Sequence, residues 1–505
     1  MDADQFRQFG KAMIDYIADY QETIRDRKVL PSVEPGYLQH LLPDEAPQKG
    51  EPWQEILKDV DRIIMPGVTH WQSPNFHAYY PTACSYPSIV GDMLSGAIAC
   101  VGFSWMAGPA CTELEVAMMN WLGKLLHLPE EFLNCSEGPG GGVIQGSASE
   151  ASLVALLAAK DKFVRSIREK DPTIPAAEIK GKLVAYSSDQ SNSSVEKAGL
   201  IGSMMMRLLP SDEDGALRGT TLQEAVRKDR EAGLIPCFFI ASLGTTGTCA
   251  FDNLEEIGPI CQEEGIWLHI DAAYAGTVFI CPEYRYLMKG VEYSDSFNFN
   301  THKWMLCNFD CSCMWVKDAR YLMDAFNVDR IYLKHNKTSH LPDYRHWQIP
   351  LGRRFRALKL WFVLRSYGVE GIQEHVRKDI ALAKYFESLV KQDERFEACT
   401  LSLGLATFRL KGDDSLTQKL LDKITADKTL YLIPCYYRER LVARFVIASR
   451  MTQKSDVDFA WSVICEHADQ IVAPKIKKME SVIGDKYKFD AIKITTNTEC
   501  LEKSK

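Results

Sequence analysis

The apolar residues of the chain follow two different patterns. In residues 1–27 apolar side chains recur at the spacing of an amphipathic helix, at Phe6, Phe9, Met13, Ile14 and Ile17. Between about residues 85 and 367, short apolar runs alternate with helical stretches; the clearest runs are Leu183–Ser187, Cys237–Ser242 and Trp267–Asp271. Strands separated by helices predict an α/β fold whose mostly parallel sheet is covered on both faces.

The chain is too long for one simple core, because single cores stop growing at roughly 250–300 residues and this chain has 505. We predict an N-terminal helical segment at 1–84, a large domain at 85–367, a smaller α/β domain at 368–475 and a loose, lysine-rich tail at 476–505. Within the smaller domain, Leu401–Arg409 and Ala443–Ser449 are predicted to be strands.

Composition narrows the class of protein. The chain is 46% hydrophobic and 25% charged, with a net charge of −8, which argues against nucleic acid or an anionic membrane as a main partner. No apolar run approaches membrane-spanning length, and residues 1–26 mix charges into their apolar positions, unlike a signal peptide. The 15 cysteines show no zinc-ligand or C-x-x-C spacing. We therefore expect reduced thiols, no metal site and a cytoplasmic location.

One lysine is placed where it could be reactive. The alternating stretch Ser296–Trp304 is predicted to be a strand, with Lys303 near its end among aromatic residues. A lysine held among aromatic rings loses its proton more readily than one in water, and a neutral amine can form a Schiff base with a carbonyl. The alternative is a surface lysine at the start of a loop.

A carboxylate and a glycine-rich stretch favour the reactive lysine. Asp271 ends an apolar run, so a parallel strand would bring it to the carboxyl edge of the sheet, where it needs a cationic partner. A protonated pyridine nitrogen is such a partner, and a lysine with an aspartate is the arrangement of pyridoxal-phosphate enzymes. Asp271 could instead cap the following segment.

The glycine-rich stretch is Gly138–Ala151, which leads into a predicted helix at Ser152–Lys160. Small residues that open a helix expose backbone N–H groups, which seat a phosphate. The stretch matches neither the dinucleotide nor the P-loop motif. We therefore interpret it as a phosphate seat of another kind.

Four longer motifs carry a family resemblance: His70–Pro74, Pro109–Glu115, Leu268–Gly276 and His346–Arg356. Through them the chain resembles the group II pyridoxal-phosphate amino-acid decarboxylases over residues 1–473. The resemblance implies the fold-type I, aspartate-aminotransferase-like architecture and a homodimer with active sites at the interface. It also implies that the N-terminal segment packs on the partner subunit.

The resemblance also implies roles for individual residues. Lys303 would carry pyridoxal 5′-phosphate and Asp271 would keep its pyridine nitrogen protonated. The other implied cofactor-binding residues are Ser147, Ala148, Ser149, Asn192, Thr246, Ala273, Asn300 and His302. The implied substrate-binding residues are Trp71, Tyr79, Tyr80, Pro81, Thr82, Val101, Phe103 and Gly352. Tyr332, in a predicted lid at 327–344, would be the proton donor.

Position 192 decides the product that the resemblance predicts. The family's decarboxylases have histidine there, whereas its insect-type aldehyde synthases have asparagine, and Asn192 does not titrate near neutral pH. We therefore predict oxidative conversion of L-dopa to 3,4-dihydroxyphenylacetaldehyde, carbon dioxide, ammonia and hydrogen peroxide, with O2 as co-substrate. The alternative, which Tyr332 favours, is non-oxidative decarboxylation to dopamine or a related amine. Gly352 matches the relatives that use aromatic substrates.

Overall fold

Two β-sheets organise the chain, and the computed structural model describes residues 1–328 and 341–472. The predicted tail at 476–505 and the predicted proton donor Tyr332 lie outside the described residues.

The helices and strands follow one another in a largely alternating order. The helices are α1 Ala3–Glu22, α2 Trp53–Asp59, α3 Tyr86–Ile98, α4 Pro109–Leu126, α5 Ala148–Lys170, α6 Ala176–Lys182, α7 Ser193–Gly202, α8 Gly219–Glu231, α9 Leu254–Glu264, α10 Thr301–Trp304, α11 Arg320–Phe326, α12 Arg356–Gln392, α13 Asp414–Asp427 and α14 at 454–472. The strands are β1 Gly141–Gln145, β2 Leu183–Ser188, β3 Met205–Leu209, β4 Ile235–Ser242, β5 Trp267–Asp271, β6 Ser296–Asn300, β7 Ser312–Val316, β8 Phe396–Ser402, β9 Leu405–Leu410, β10 Ile433–Tyr437 and β11 Arg440–Val446.

The larger sheet has seven strands in the order β1-β7-β6-β5-β4-β2-β3. Strands β3, β2, β4, β5 and β6 run parallel, and β7 is antiparallel to both of its neighbours. Successive residues of a strand face opposite sides, so Val184 and Ala185 lie in two different cores. Helices α4 and α12 cover one face and α5 covers the other. The predicted α/β fold with a mostly parallel sheet is confirmed.

The smaller sheet is antiparallel, in the order β10-β11-β9-β8. Helices α13 and α14 pack against it, together with the second half of α12. Helix α12 joins the two sheets and breaks at Gly368, whose φ of 64° is accessible to glycine without a side-chain clash. The predicted strand Leu401–Arg409 is wrong: it is a hairpin, because the chain reverses at Leu403 and Gly404.

Two further elements differ from expectation. Ser296–Trp304 is a strand only as far as Asn300, after which one turn of helix carries Lys303. The glycine-rich stretch contains β1, because its glycines allow close packing: a methyl group on Gly142 would lie 2.6 Å from Met119. Among the described residues, no helix is long and apolar enough to cross a membrane.

Candidate active site

A cavity opens at the carboxyl edge of the larger sheet, where ligands bind in open α/β folds. It has about 590 Å³ of space, counting the part open to solvent. Ten of the predicted site residues line it: Tyr80, Ser147, Ala148, Ser149, Asn192, Thr246, Asp271, Ala273, Asn300 and Lys303. Strand ends from across the sheet thus bring together residues that are far apart in sequence.

Lys303 projects from α10, directly after β6. Its Nζ atom lies 5.6 Å from the centroid of the Tyr80 ring. Burial lowers the pKa of Lys303, and the nearby Asp271 carboxylate opposes this shift. The local structure therefore favours a neutral amine more than water does, which is the form that attacks a carbonyl.

Asp271 ends β5, next to Ser242 on β4 and Asn298 on β6. One carboxylate oxygen accepts a hydrogen bond of 2.9 Å from the backbone N–H of Ala273. Burial raises the pKa of Asp271, whereas Lys303 and the Ala273 N–H lower it. A cationic ligand group beside Asp271 would stabilise the carboxylate.

The N-terminus of α5 forms another wall. Ser147 is the N-cap residue, and its hydroxyl accepts a hydrogen bond from the N–H of Glu150. The first N–H groups of a long helix carry partial positive charge and attract a phosphate. Nearby, the side-chain oxygen of Asn300 is buried and has no hydrogen-bond partner among the described residues. The first N–H groups of α5 fit the anionic end of pyridoxal 5′-phosphate, whereas the Asn300 oxygen, an acceptor, fits a donor group of a ligand.

Asn192 has two structural roles. Its side-chain oxygen accepts a hydrogen bond of 3.0 Å from Ser194 N–H, which caps α7. Its Nδ2 atom donates to Thr246 Oγ1 at 3.0 Å. The capping of α7 therefore explains an asparagine at position 192, whichever product the enzyme forms.

Aromatic rings form the remaining wall. Tyr80 stacks on Tyr274, and Tyr274 stacks on Trp304, the residue after Lys303. The Tyr80 hydroxyl donates to the carbonyl of Thr245 at 3.0 Å. Trp71 and Tyr79 stack on each other nearby in sequence, but they do not line the cavity.

The other predicted site residues lie outside the cavity wall. His302 is buried, and its Nδ1 atom accepts a hydrogen bond from Cys311 N–H. Pro81 is buried, and the Thr82 hydroxyl donates to the carbonyl of Ala83. These three residues lie behind or beside the wall rather than in it.

Val101, Phe103 and Gly352 form a separate group. A methyl group on Gly352 would lie 3.5 Å from Val101, and the carbonyl of Phe103 accepts a hydrogen bond from Arg345 N–H. Val101 is 51% exposed. In the single chain, these residues do not line the cavity.

Sequence reasoning missed Arg444. It lies in β11, is 1% exposed, and its guanidinium carbon is 5.1 Å from the Tyr80 ring centroid. Its Nε and Nη2 atoms donate to the carbonyls of Gly247 and Tyr79, whereas Nη1 is buried without a partner among the described residues. The available signal was a charged residue inside an apolar strand, since buried charges need a partner.

A partly buried lysine beside a buried aspartate, with a helix N-terminus next to them at the edge of a mostly parallel sheet, is the arrangement of a fold-type I pyridoxal-phosphate enzyme. The conserved domain of pyridoxal-dependent decarboxylases matches residues 35–411. The chain belongs to this family and is a pyridoxal-phosphate-dependent decarboxylase.

Relatives extend the match over almost the whole chain. The aromatic-L-amino-acid decarboxylase of Mus musculus is 57% identical over 475 residues, which cover 94% of this chain and 99% of the relative. The aromatic-L-amino-acid decarboxylase of Drosophila melanogaster is 56% identical over 472 residues, which cover 93% and 92%.

Solved structures agree with the fold. Oryza sativa TDC with PLP and tryptamine superposes with a TM-score of 0.89 at 35% identity, covering 93% of this chain and 99% of that one. Rhodiola rosea 4-hydroxyphenylacetaldehyde synthase superposes with a TM-score of 0.87 at 36% identity, covering 94% and 99%. Both TDC and an aldehyde synthase therefore have this fold, so the fold alone does not show whether the product is an amine or an aldehyde.

The predicted oxidative conversion of L-dopa to an aldehyde is wrong. The relatives at 56–57% identity, insect ones included, are named aromatic-L-amino-acid decarboxylase. The comparisons likewise give no support to O2 as a co-substrate or to hydrogen peroxide as a product. The similarity of almost the entire chain outweighs the asparagine at position 192 as an indication of the product.

Proposed function

We propose that the enzyme removes the α-carboxyl group of aromatic L-amino acids, L-dopa among them, and releases the corresponding amines. The observation that carries this proposal is the Lys303–Asp271 pair set against the stacked rings of Tyr80 and Tyr274. The names of the relatives support the same reaction.

The cavity residues fit pyridoxal 5′-phosphate, which when bound withdraws electrons from the bond to the departing carboxyl group. Lys303 provides the amine that attaches it. Asp271 would keep the pyridine nitrogen protonated, while Ser147 and the first N–H groups of α5 would bind the phosphate. We propose that Ala148, Ser149, Thr246, Ala273 and Asn300 complete the cofactor site, with His302 behind it.

The cavity has an aromatic wall, and a buried cation, Arg444, lies against the Tyr80 ring of that wall without lining the cavity itself. Tyr80 and Tyr274 line the cavity, and we propose that a substrate ring packs against the edges of this stack, because Tyr274 is already covered by Tyr80 and Trp304. We propose that Arg444 orients the substrate carboxylate, because its Nη1 atom is a buried donor without a protein acceptor among the described residues. Tyr332 stays the predicted proton donor.

We also propose a homodimer, on the evidence of an apolar surface along α3. Five large apolar residues of this helix are between 42% and 49% exposed: Tyr86, Val90, Met93, Leu94 and Ile98. Exposed apolar surface of this extent is typical of protein interfaces. The neighbouring Val101, Phe103 and Gly352 would then complete the substrate site of the partner subunit. We propose that the path by which substrate enters this site is lined by Trp71, Tyr79, Pro81 and Thr82.

We propose the same domain boundaries that the sequence predicts, at 1–84, 85–367 and 368–475.

We further propose a cytoplasmic location, because every cysteine in the described residues is unpaired, as expected in a reducing compartment.

The reaction is tested by incubating the enzyme, loaded with pyridoxal 5′-phosphate, with L-dopa, L-tryptophan and L-histidine. We expect dopamine and carbon dioxide in equal amounts from L-dopa, and no amine from L-histidine.

Lys303→Ala should abolish both the activity and the visible absorbance. Lys162→Ala is the matched control, because Lys162 also packs on an aromatic ring, that of Tyr321 at 4.7 Å, but lies outside the cavity wall. Absence of amine from every aromatic substrate would refute the proposal.

A further inference from the structure

Two cysteines stand at the two ends of the loop between α3 and α4. Cys100 follows the end of α3 and is partly exposed, whereas Cys111 lies in the first turn of α4 and is 2% exposed. Between them the loop carries Val101 and Phe103. A bond between the two cysteines would therefore close this loop at its base.

The backbone brings the two thiols together. A methyl group on Gly108 would lie 2.6 Å from Cys100 Sγ and 3.1 Å from Cys111 Cβ, so both side chains flank the same glycine. A methyl group on Gly102 would also clash with the Cys111 side chain. The two thiols are close enough for a side-chain hydrogen bond, and Cys100 also donates to the carbonyl of Ala107.

We propose that Cys100 and Cys111 form a reversible disulfide when the enzyme meets a peroxide. Both cysteines are free in the structure and lie side by side. The disulfide would fix the loop at 101–108 between its two ends.

The reaction balances in two steps. The Cys100 sulfur attacks a peroxide oxygen, the O–O bond breaks, and the thiol proton leaves with the departing hydroxide as water. The Cys111 sulfur then displaces the hydroxyl from the resulting sulfenic acid, and its own proton leaves with that hydroxyl as a second water. The two sulfurs lose two electrons in total, and hydrogen peroxide gains them.

The order of the two steps follows from exposure and acidity. Burial, with a smaller effect of the Glu115 carboxylate, raises the pKa of the Cys111 thiol to about 12. A buried thiol that keeps its proton is a poor nucleophile toward peroxide. Cys100, the more exposed of the two, is therefore oxidised first and Cys111 resolves it.

The effect on catalysis rests on the function proposed above. Val101 and Phe103 lie on the closed loop, and in the proposed dimer they border the substrate site of the partner. Small displacements of positioning groups can lower rates up to roughly a hundredfold. We expect the oxidised enzyme to show a fall of about tenfold in kcat/KM, within this range, that dithiothreitol reverses.

Cyanogen bromide gives a direct test, because Met106 lies between the two cysteines. Cleavage after Met93, Met106 and Met118 yields fragments 94–106 and 107–118, each with one of the cysteines. After treatment of the holoenzyme with hydrogen peroxide, we expect a linked pair of fragments that weighs two hydrogens less than their sum. Dithiothreitol should separate the pair.

Matched variants complete the test. Cys100→Ser should abolish the linkage and the fall in kcat/KM, whereas Cys135→Ser, which removes an exposed cysteine from another loop, should preserve both. Gly108→Ala retains both thiols and should still reduce the linkage, since its methyl group lies between them.

Three outcomes would overturn the proposal or part of it. Fragments that separate without reductant would exclude the disulfide, and a linked subunit dimer on a non-reducing gel would exclude the pairing within one chain. Linkage without any change in kcat/KM would overturn the effect on the substrate loop. The linkage is measured by mass without substrate, so a failure of the proposed decarboxylase activity would be distinguished from a failure of the disulfide.

Discussion

The rings of Tyr80 and Tyr274 lie almost parallel, with 3.7 Å between their centroids and 13° between their planes. Tyr274 in turn stacks on Trp304 at 4.8 Å, and the indole N–H of Trp304 donates to the buried Asp379 on α12. The aromatic wall of the cavity is thus one continuous stack that reaches the helix joining the two sheets. Because Trp304 follows Lys303, this stack also holds the reactive lysine in place.

Tyr80 should contribute more through its ring than through its hydroxyl. Tyr80→Phe keeps the stack and removes one of the two hydrogen bonds to the Thr245 carbonyl, which still accepts from Cys249 N–H, so the loss in stability should be about 0.5–1.5 kcal/mol. Tyr80→Ala removes the ring as well, and a buried aromatic ring replaced by alanine costs about 3–5 kcal/mol. Chemical denaturation of the holoenzyme measures both, and KM for L-dopa should rise more in the alanine variant. Equal losses in the two variants would show that the ring face is unimportant.

Asn192 should act as a helix cap. Asn192→Ala removes the acceptor for Ser194 N–H, and loss of an N-cap costs about 1 kcal/mol. Asn192→Asp keeps that acceptor and loses only the donor to Thr246. Thermal unfolding of the apoenzyme should therefore rank the stabilities as wild type, then aspartate, then alanine. An alanine variant as stable as wild type would contradict the capping role.

The features that could be predicted from sequence depend on neighbouring residues. Asp271 ends a short apolar run and Lys303 follows an alternating one by three residues, so strand periodicity places both near one edge of the sheet. Arg444 could not be predicted in this way, because its surroundings come from the separate smaller sheet. The capping role of Asn192 is local, through Ser194, but its contact with Thr246, 54 residues away on another loop, could not be predicted from the sequence.

The apolar surface of α3 should hold two subunits together. Met93→Asp places a charge in the centre of that surface, where burial of an unpaired carboxylate is strongly unfavourable. Light scattering should then show monomers, with a loss of activity if the partner completes the site. Leu200→Asp is the matched control, because Leu200 is 80% exposed on a different helix. A dimer that persists in Met93→Asp would place the interface elsewhere.

Glu115 and Arg353 form a buried ion pair at 2.6 Å, each with 1% of its side chain exposed. The same carboxylate accepts the N–H of Ile144 in β1, and Arg353 donates to the carbonyl of Ile144. The residues of this pair are 238 positions apart, so sequence alone left open whether Arg353 is solvated or paired.

Breaking this pair from either side should be costly. Removal of one partner leaves an uncompensated buried charge, with a loss of about 3–5 kcal/mol, so we expect that range for Glu115→Leu and for Arg353→Met. The double variant should lose less than the sum of the two, which urea denaturation of all four proteins measures. Additive losses would show that the two charges do not interact.

His77 should make the folded protein sensitive to acid. It is fully buried, stacks on Phe445 at 3.8 Å and donates from Nδ1 to the carbonyl of Val446. Burial lowers the pKa of His77 to about 4, against 6.5 for the exposed ring. The unfolded chain therefore binds a proton below pH 6.5 that the folded chain does not bind until about pH 4. Stability is lost as the pH falls through this window.

The expected loss from His77 alone is about 2 kcal/mol between pH 7.5 and pH 5, since each pKa unit corresponds to about 1.4 kcal/mol. His77→Gln cannot titrate, so its deficit relative to wild type should shrink by this amount at pH 5. Urea denaturation at the two pH values gives the comparison. The control is His40→Gln, because His40 is exposed and its solvent surroundings change little on unfolding. A deficit for His77→Gln that stays constant with pH would mean that the ring binds its proton equally well in the folded and unfolded chains.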